Sequence, residues 1–325
     1  MTESTPAREE PIHPKPSTPI EQRRPRWIAS KLQLRLLTAA VLIPSVTYMI
    51  FRGGYWVLAT VVVITAVGLS EFYQLIEAKG AHPLRGFGII AGASLPVVAF
   101  VGSEYHATIL MSAVLLGVMV AQLGKARIAD SLASISGTFF GVFYVGWLLS
   151  HAVVLRDFHR VVEGKWGAAA AAGMLPEIGI FYLFATIGIV IAGDAGAYFA
   201  GRAYGRHKLA PKISPAKTVE GAIGAVIAGI AVGLACKAIF EILIPGVTAP
   251  IGWVVCGVLA MILAVVGIIG DLVESLLKRD AAVKDTGILL PGTGGVLDRI
   301  DSSLLAIPVM YYLMLAYTYF WVRLT

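Results

Sequence analysis

Apolar residues run in long stretches separated by short polar connectors. A helix needs roughly 20 residues to cross a hydrocarbon core of about 30 Å. Nine windows come near that length, at 36–51, 55–70, 87–103, 108–123, 132–154, 178–200, 221–244, 250–270 and 302–322. The pattern predicts an all-α, polytopic integral membrane protein with about nine transmembrane helices. Residues 1–30 fall outside it. They are polar, carry Pro6, Pro11, Pro14, Pro16, Pro19 and Pro25, and have little to bury, which predicts a disordered tail rather than a signal peptide. Three regions follow: the tail at 1–30, N-terminal transmembrane helices at 31–172, and a C-terminal transmembrane region at 173–325 holding the chemistry.

Charge placement orients the chain. With nine spans and a cytoplasmic N-terminus, 20 Lys and Arg fall on the inner side and six on the outer side, namely Arg52, Arg156, Arg160, Lys165, Lys237 and Arg323. That asymmetry predicts an N-in, C-out topology with the active-site loops cytoplasmic. The basic run Arg23, Arg24, Arg26, Lys31 and Arg35, with Trp27, reads as a positive-inside anchor.

Composition narrows the classes. Of 325 residues, 57% are apolar and 14% charged, with a mean hydropathy of +0.79, far from the soluble average of about 25% charged. Two soluble domains, a disordered chain, collagen and a disulfide scaffold are excluded. Cys236 and Cys256 lie in apolar runs and read as small buried hydrophobes. The net charge of +6 is explained by topology, so nucleic acid is not an expected partner; the lipid bilayer is.

Two polar segments begin in or beside apolar spans. The first contains Asp194, a costly ionisable residue at the end of an apolar run, then the cationic Arg202, Arg206, Lys208, Lys212 and Lys217. Its Ser214-Pro215-Ala216-Lys217-Thr218-Val219-Glu220 stretch combines hydroxyls, an ammonium and a carboxylate, as a phosphate and metal site requires. In the second, Asp271, Glu274, Ser275 and Lys278 stand at i, i+3, i+4 and i+7, one face of a helix continuing from the eighth span. Asp298, Asp301 and Ser302 repeat the spacing at the start of the ninth. Converging carboxylates without Cys or His favour a hard cation such as Mg²⁺ over zinc. Lys278, Arg279, Lys284 and Arg299 would balance polyphosphate charge, and Gly292, Gly294 and Gly295 permit close backbone approach. The order of residues is not that of a P-loop, and neither G-x-S-x-G nor H-E-x-x-H occurs.

The run Ser275, Lys278, Arg279, Lys284, Asp285, Pro291, Gly292, Thr293, Gly294, Gly295, Asp298, Arg299 and Asp301 resembles the signature of the phosphatidate cytidylyltransferases, with Thr293 where that family carries His. The segment from Asp194 to Gly221 is similar to its bacterial members. The resemblance implies CTP and phosphatidate as substrates, CDP-diacylglycerol and pyrophosphate as products, and a divalent cation. It implies Asp271 and Asp298 as metal ligands; the carboxylate spacing adds Glu274 and Asp301, and the cost of burial adds Asp194, as further candidates. Lys278, Arg279 and Lys284 would join the two aspartates in catalysis. Ser214, Lys217, Thr218, Glu220, Asp285, Arg299, Gly294 and Gly295 would bind substrate. It also implies a bacterial inner membrane, and leaves a homodimer open. Three rival readings remain: a cytidylyltransferase for an isoprenoid lipid phosphate, an ion-coupled transporter built on Asp194 and Asp271, and a silent scaffold.

Overall fold

The computed structural model describes residues 31–102, 104–124, 130–287, 289 and 294–324. The tail at 1–30 and the trio Pro291, Gly292 and Thr293 lie outside the described residues.

Each apolar window coincides with a helix or helical run. The first four are α1 (Lys31–Arg52), α2 (Gly54–Ala78), α3 (Arg85–Val101) and α4 (Glu104–Leu123). The fifth is continuous over Ser131–Arg156. It comprises α5 (Ser131–Gly141), a π-helical turn (Val142–Trp147) and α6 (Leu148–Arg156). The short helices α7 (Phe158–Trp166) and α8 (Ala168–Ala171) fill the connector to α9 (Ile178–Tyr204). Last come α10 (Val219–Leu243), α11 (Trp253–Asp280) and α12 (Leu297–Leu324). Among the described residues, seven helical runs are long and apolar enough to cross a membrane. The windows at 36–51 and 87–103 fall on shorter apolar helices, Ala40–Arg52 and Arg85–Val101, so helix length does not by itself carry a count of nine.

The helical expectation gains one addition. Between α9 and α10 the chain forms an antiparallel hairpin, β1 (Lys208–Ala210) and β2 (Ser214–Thr218), pairing Lys208 with Thr218 and Ala210 with Ser214. Thr218 ends β2 and caps α10, its Oγ1 accepting from the Gly221 N–H at 3.1 Å.

Lipid offers no hydrophobic drive between helices, so close van der Waals packing of small residues holds them together. A Cβ on Gly196 of α9 would lie 2.5 Å from the Gly224 carbonyl of α10, and one on Gly233 of α10 would lie 2.6 Å from Ala260 Cβ of α11. A third close crossing, between α11 and α12, joins the two acidic segments. A Cβ on Gly270 would lie 2.8 Å from the Asp301 carbonyl oxygen and 2.9 Å from Ser302 Cα. One buried cluster, including Leu69, Phe72, Val145, Phe158, Tyr182, Phe240, Leu263 and Met310, runs from α2 to α12 and joins both halves of the chain.

The crossing generates a paired prediction. Alanine favours a helix over glycine by about 1 kcal/mol, but overpacking costs about 1–3 kcal/mol. Gly270→Ala meets backbone atoms and is expected to lower the midpoint of thermal unfolding in detergent. Gly257→Ala, on the same helix, meets only Leu234 Cδ2 at 3.9 Å and is expected to leave the midpoint unchanged or raise it.

Candidate functional site

Because α11 runs unbroken through Asp280, the spacing of Asp271, Glu274, Ser275 and Lys278 becomes a real polar face. The Gly270 crossing sets that face against the first turns of α12. Asp271, Glu274 and Asp301 each offer a carboxylate oxygen, and these three oxygens lie within 4.8 Å of one another. Glu274 is fully buried and Asp301 nearly so. No donor among the described residues reaches Glu274 Oε1.

Two ammonium groups hold this acidic cluster. Lys217, from the end of β2, pairs with Asp271 Oδ2 at 2.6 Å. Lys278 Nζ stands 2.6 Å from Glu274 Oε2 and 2.8 Å from Asp298 Oδ1, bridging α11 to α12. Asp298 Oδ2 accepts the backbone N–H groups of Thr286 at 3.0 Å and Gly295 at 2.9 Å. Its oxygens therefore shape the connecting segment, while Asp301 joins Asp271 and Glu274. Gly294 is needed where it stands, with φ of +93° and a Cβ position 2.8 Å from Asp298 Oδ2.

Asp194, Arg202, Lys217, Thr218 and Asp271 line one cavity of about 430 Å³ between α9, α10, α11 and the hairpin. Asp194 lies within electrostatic reach of Asp271, Asp301, Lys217 and Arg299. An entirely apolar groove between α10 and α11 adjoins it through Leu209, Ala222 and Ile268, and continues over Ile223, Ile227, Val265 and Ile269. The hydrophobic wall and the charged end are thus one continuous surface.

Other expected site residues are placed differently. Glu220 serves the hairpin: its carboxylate accepts the N–H groups of Arg206 and His207 and pairs with His207 Nδ1 at 2.6 Å. Arg279 donates from Nε to the Ile213 carbonyl at 3.3 Å, tying α11 to the hairpin turn. Ser214 opens β2, opposite Ala210. Lys284 and Asp285 are exposed on the segment after α11, and Arg299 is exposed on the first turn of α12.

Two residues of the N-terminal half reach this region without having been anticipated. Glu71 of α2 is 5% exposed and accepts the N–H groups of Val296 at 3.0 Å and Leu297 at 2.8 Å. Tyr144, on the π-helical turn, buries a hydroxyl that has no hydrogen-bond partner among the described residues, within electrostatic reach of Glu274 and Asp301. A signal for Glu71 was present, since a carboxylate ending an apolar run is costly and marks function by default. Tyr144 carried none, an aromatic among aromatics.

Fold and site together define a polytopic integral membrane protein with a charged cavity at the ends of its C-terminal spans. The cytidylyltransferase family matches residues 33–317, and the chain belongs to that family. It is 31% identical over 289 residues to the phosphatidate cytidylyltransferase of Synechocystis sp., covering 86% of this chain and 94% of that protein. To the phosphatidate cytidylyltransferase of Brucella suis it is 34% identical over 282 residues, covering 87% and 93%. To that of Haemophilus influenzae it is 42% identical over 137 residues, covering 42% and 46%. The resemblance read from Ser275 through Asp301 is borne out, and with it a CTP-dependent nucleotidyltransferase class.

Removing one partner of a buried ion pair strands the other charge, at a cost of about 3–5 kcal/mol. Lys278→Met is therefore expected to destabilise the protein by that order, measured by thermal unfolding in detergent with EDTA present. Arg160→Met, which removes a cation three-quarters exposed at 3.7 Å from Asp157, is expected to change stability by less than about 1 kcal/mol.

Proposed function

We propose that this protein transfers CMP from CTP to phosphatidate, forming CDP-diacylglycerol and releasing pyrophosphate at the cytoplasmic face of a bacterial inner membrane. The single observation carrying this reading is the cavity itself. One end is carboxylates and ammonium groups suited to phosphates, and the adjoining groove is wholly apolar and suited to acyl chains.

The chemistry needs little from a general base. A phosphate monoester with a second pKa near 6 is largely ionised at neutral pH, so one of its oxygens can attack the α-phosphorus of CTP. The new P–O bond forms as the bond to the β-phosphate oxygen breaks, and pyrophosphate carries away the electron pair. Positioning and charge neutralisation then dominate the barrier.

The donor set fits a divalent cation. Three carboxylates converge within 4.8 Å without Cys or His, Glu274 is buried, and one of its oxygens lacks a donor among the described residues. Hard oxygen ligands suit Mg²⁺, and such an ion, when bound, would supply charge neutralisation to the nucleotide phosphates. Asp271, Glu274 and Asp301 would hold it. Asp298, the other expected ligand, would act by orienting Lys278 and holding the Thr286 and Gly295 amides. Lys217 at the hairpin end would exchange its pairing with Asp271 for a phosphate oxygen. Lys284, Arg279 and Arg299 would offer exposed cations to incoming nucleotide, beside Asp194, Arg202 and Thr218 on the cavity wall. The excess of 20 Lys and Arg over six on the side that carries these loops supports the cytoplasmic placement of this end.

The test is CDP-lipid formation from labelled CTP and phosphatidate by the purified, detergent-solubilised protein with Mg²⁺. Label is expected in a CDP-lipid with the wild type, none with EDTA, and a loss of about hundredfold or more with Asp271→Asn. Labelling of an isoprenoid phosphate but not of phosphatidate would overturn the substrate assignment. Label incorporation equal in wild type and Asp271→Asn would overturn the site.

A further inference from the structure

We propose that Glu71, on the second helix of the N-terminal half, is a positioning residue that caps α12 from across the fold and thereby sets the geometry of the acidic cluster. The start of a helix leaves N–H groups without intrahelical acceptors, usually satisfied by a Ser, Thr, Asp or Asn just before it. The residues before α12 are Gly294, Gly295 and Val296, which have no such side chain. Asp298 takes the Gly295 N–H, and the next two N–H groups, of Val296 and Leu297, go to Glu71 at 3.0 and 2.8 Å. Thr286 Oγ1, six residues beyond the end of α11, stands 3.4 Å from Glu71 Oε2.

A single buried carboxylate thus joins both ends of the stretch that connects α11 to α12. Its charge also faces the positive end of the α12 dipole, which favours an anion there. The surrounding glycines follow from the same contact. A Cβ on Gly287 would come within 2.5 Å of Glu71 Oε1, and one on Gly295 within 2.5 Å of Glu71 Oε2. The side chain at 71 occupies the space that other residues would need. What hangs on this cap is the first turn of α12, carrying Asp298, which holds Lys278, and then Asp301 of the trio. Loss of the cap would let that turn fray and would spread the carboxylates. The link to turnover rests on the reaction proposed above, whereas the cap does not.

The experiment uses the full chain in detergent with Glu71→Gln, which preserves shape and one carbonyl acceptor, and Glu71→Ala. Three readouts are taken: hydrogen exchange at the Val296 and Leu297 amides, Mn²⁺ binding by electron paramagnetic resonance, and CDP-lipid formation. Glu71→Ala is expected to speed exchange at both amides at least tenfold. It is expected to weaken Mn²⁺ binding and lower kcat by about 10–100-fold, the usual cost of losing an outer-shell partner, with a smaller change in KM for CTP. Glu71→Gln should fall between Ala and wild type on all three. Unchanged exchange would overturn the cap. Faster exchange with wild-type Mn²⁺ affinity and kcat would overturn the positioning role. A wild type that binds Mn²⁺ but makes no CDP-lipid would count against the reaction, while exchange and Mn²⁺ binding would still decide the role of Glu71.

Discussion

The close crossing of α11 and α12 at Gly270 is the constraint on which the site depends. Without a Cβ at that position, the backbone of Asp301 and Ser302 can sit against α11, one residue before Asp271. Two acidic helix faces are thereby brought close together although their charges repel. Burying like charges in a low dielectric is costly, and the structure offsets it with Lys217 and Lys278, each placed within 2.6 Å of a carboxylate. The residual excess of negative charge is what suits the cluster to a hard cation and to phosphates that arrive with one.

Around this crossing the other elements act as supports. The hairpin of β1 and β2 delivers Lys217 and is itself pinned by Glu220 and by Arg279. Small residues on α9, α10 and α11 bring those helices close enough to form the cavity wall, yet leave the apolar groove beside it open. The N-terminal half contributes more than membrane anchorage. α2 supplies Glu71, the π-helical turn supplies Tyr144, and Gly68 lets Val145 and Ile300 approach, with Val145 Cγ1 at 3.2 Å from its Cβ position. A π-helical turn shifts the register of the residues after it, and such turns are frequent at functional sites.

Much of this was legible in the residue order, and the reasons are physical. The spans could be read because the bilayer demands long apolar runs. The carboxylate faces could be read because Asp271 to Lys278 and Asp298 to Ser302 obey helical spacing on helices that do form. Spacing cannot show which of two neighbouring carboxylates turns toward which partner. Asp298 and Asp301 lie one turn apart, and only the fold gives Asp298 to Lys278 and the Thr286 and Gly295 N–H groups and Asp301 to the cluster. Glu220 illustrates the same limit, since its role depends on the hairpin folding back to place His207 beside it. Glu71 is separated from its partners by more than two hundred residues, and no local pattern encodes such a pairing. The connector to α9 falls outside every apolar window, yet Phe158 and Val162 fold it into α7 by burying one face.

The most direct test of the account is the position of a bound cation. An anomalous difference map from crystals of the protein soaked in Mn²⁺ is predicted to show a peak within coordination distance of Asp271 and Asp301, beside Glu274. A peak on Asp298 displacing Lys278, with none at the trio, would contradict it.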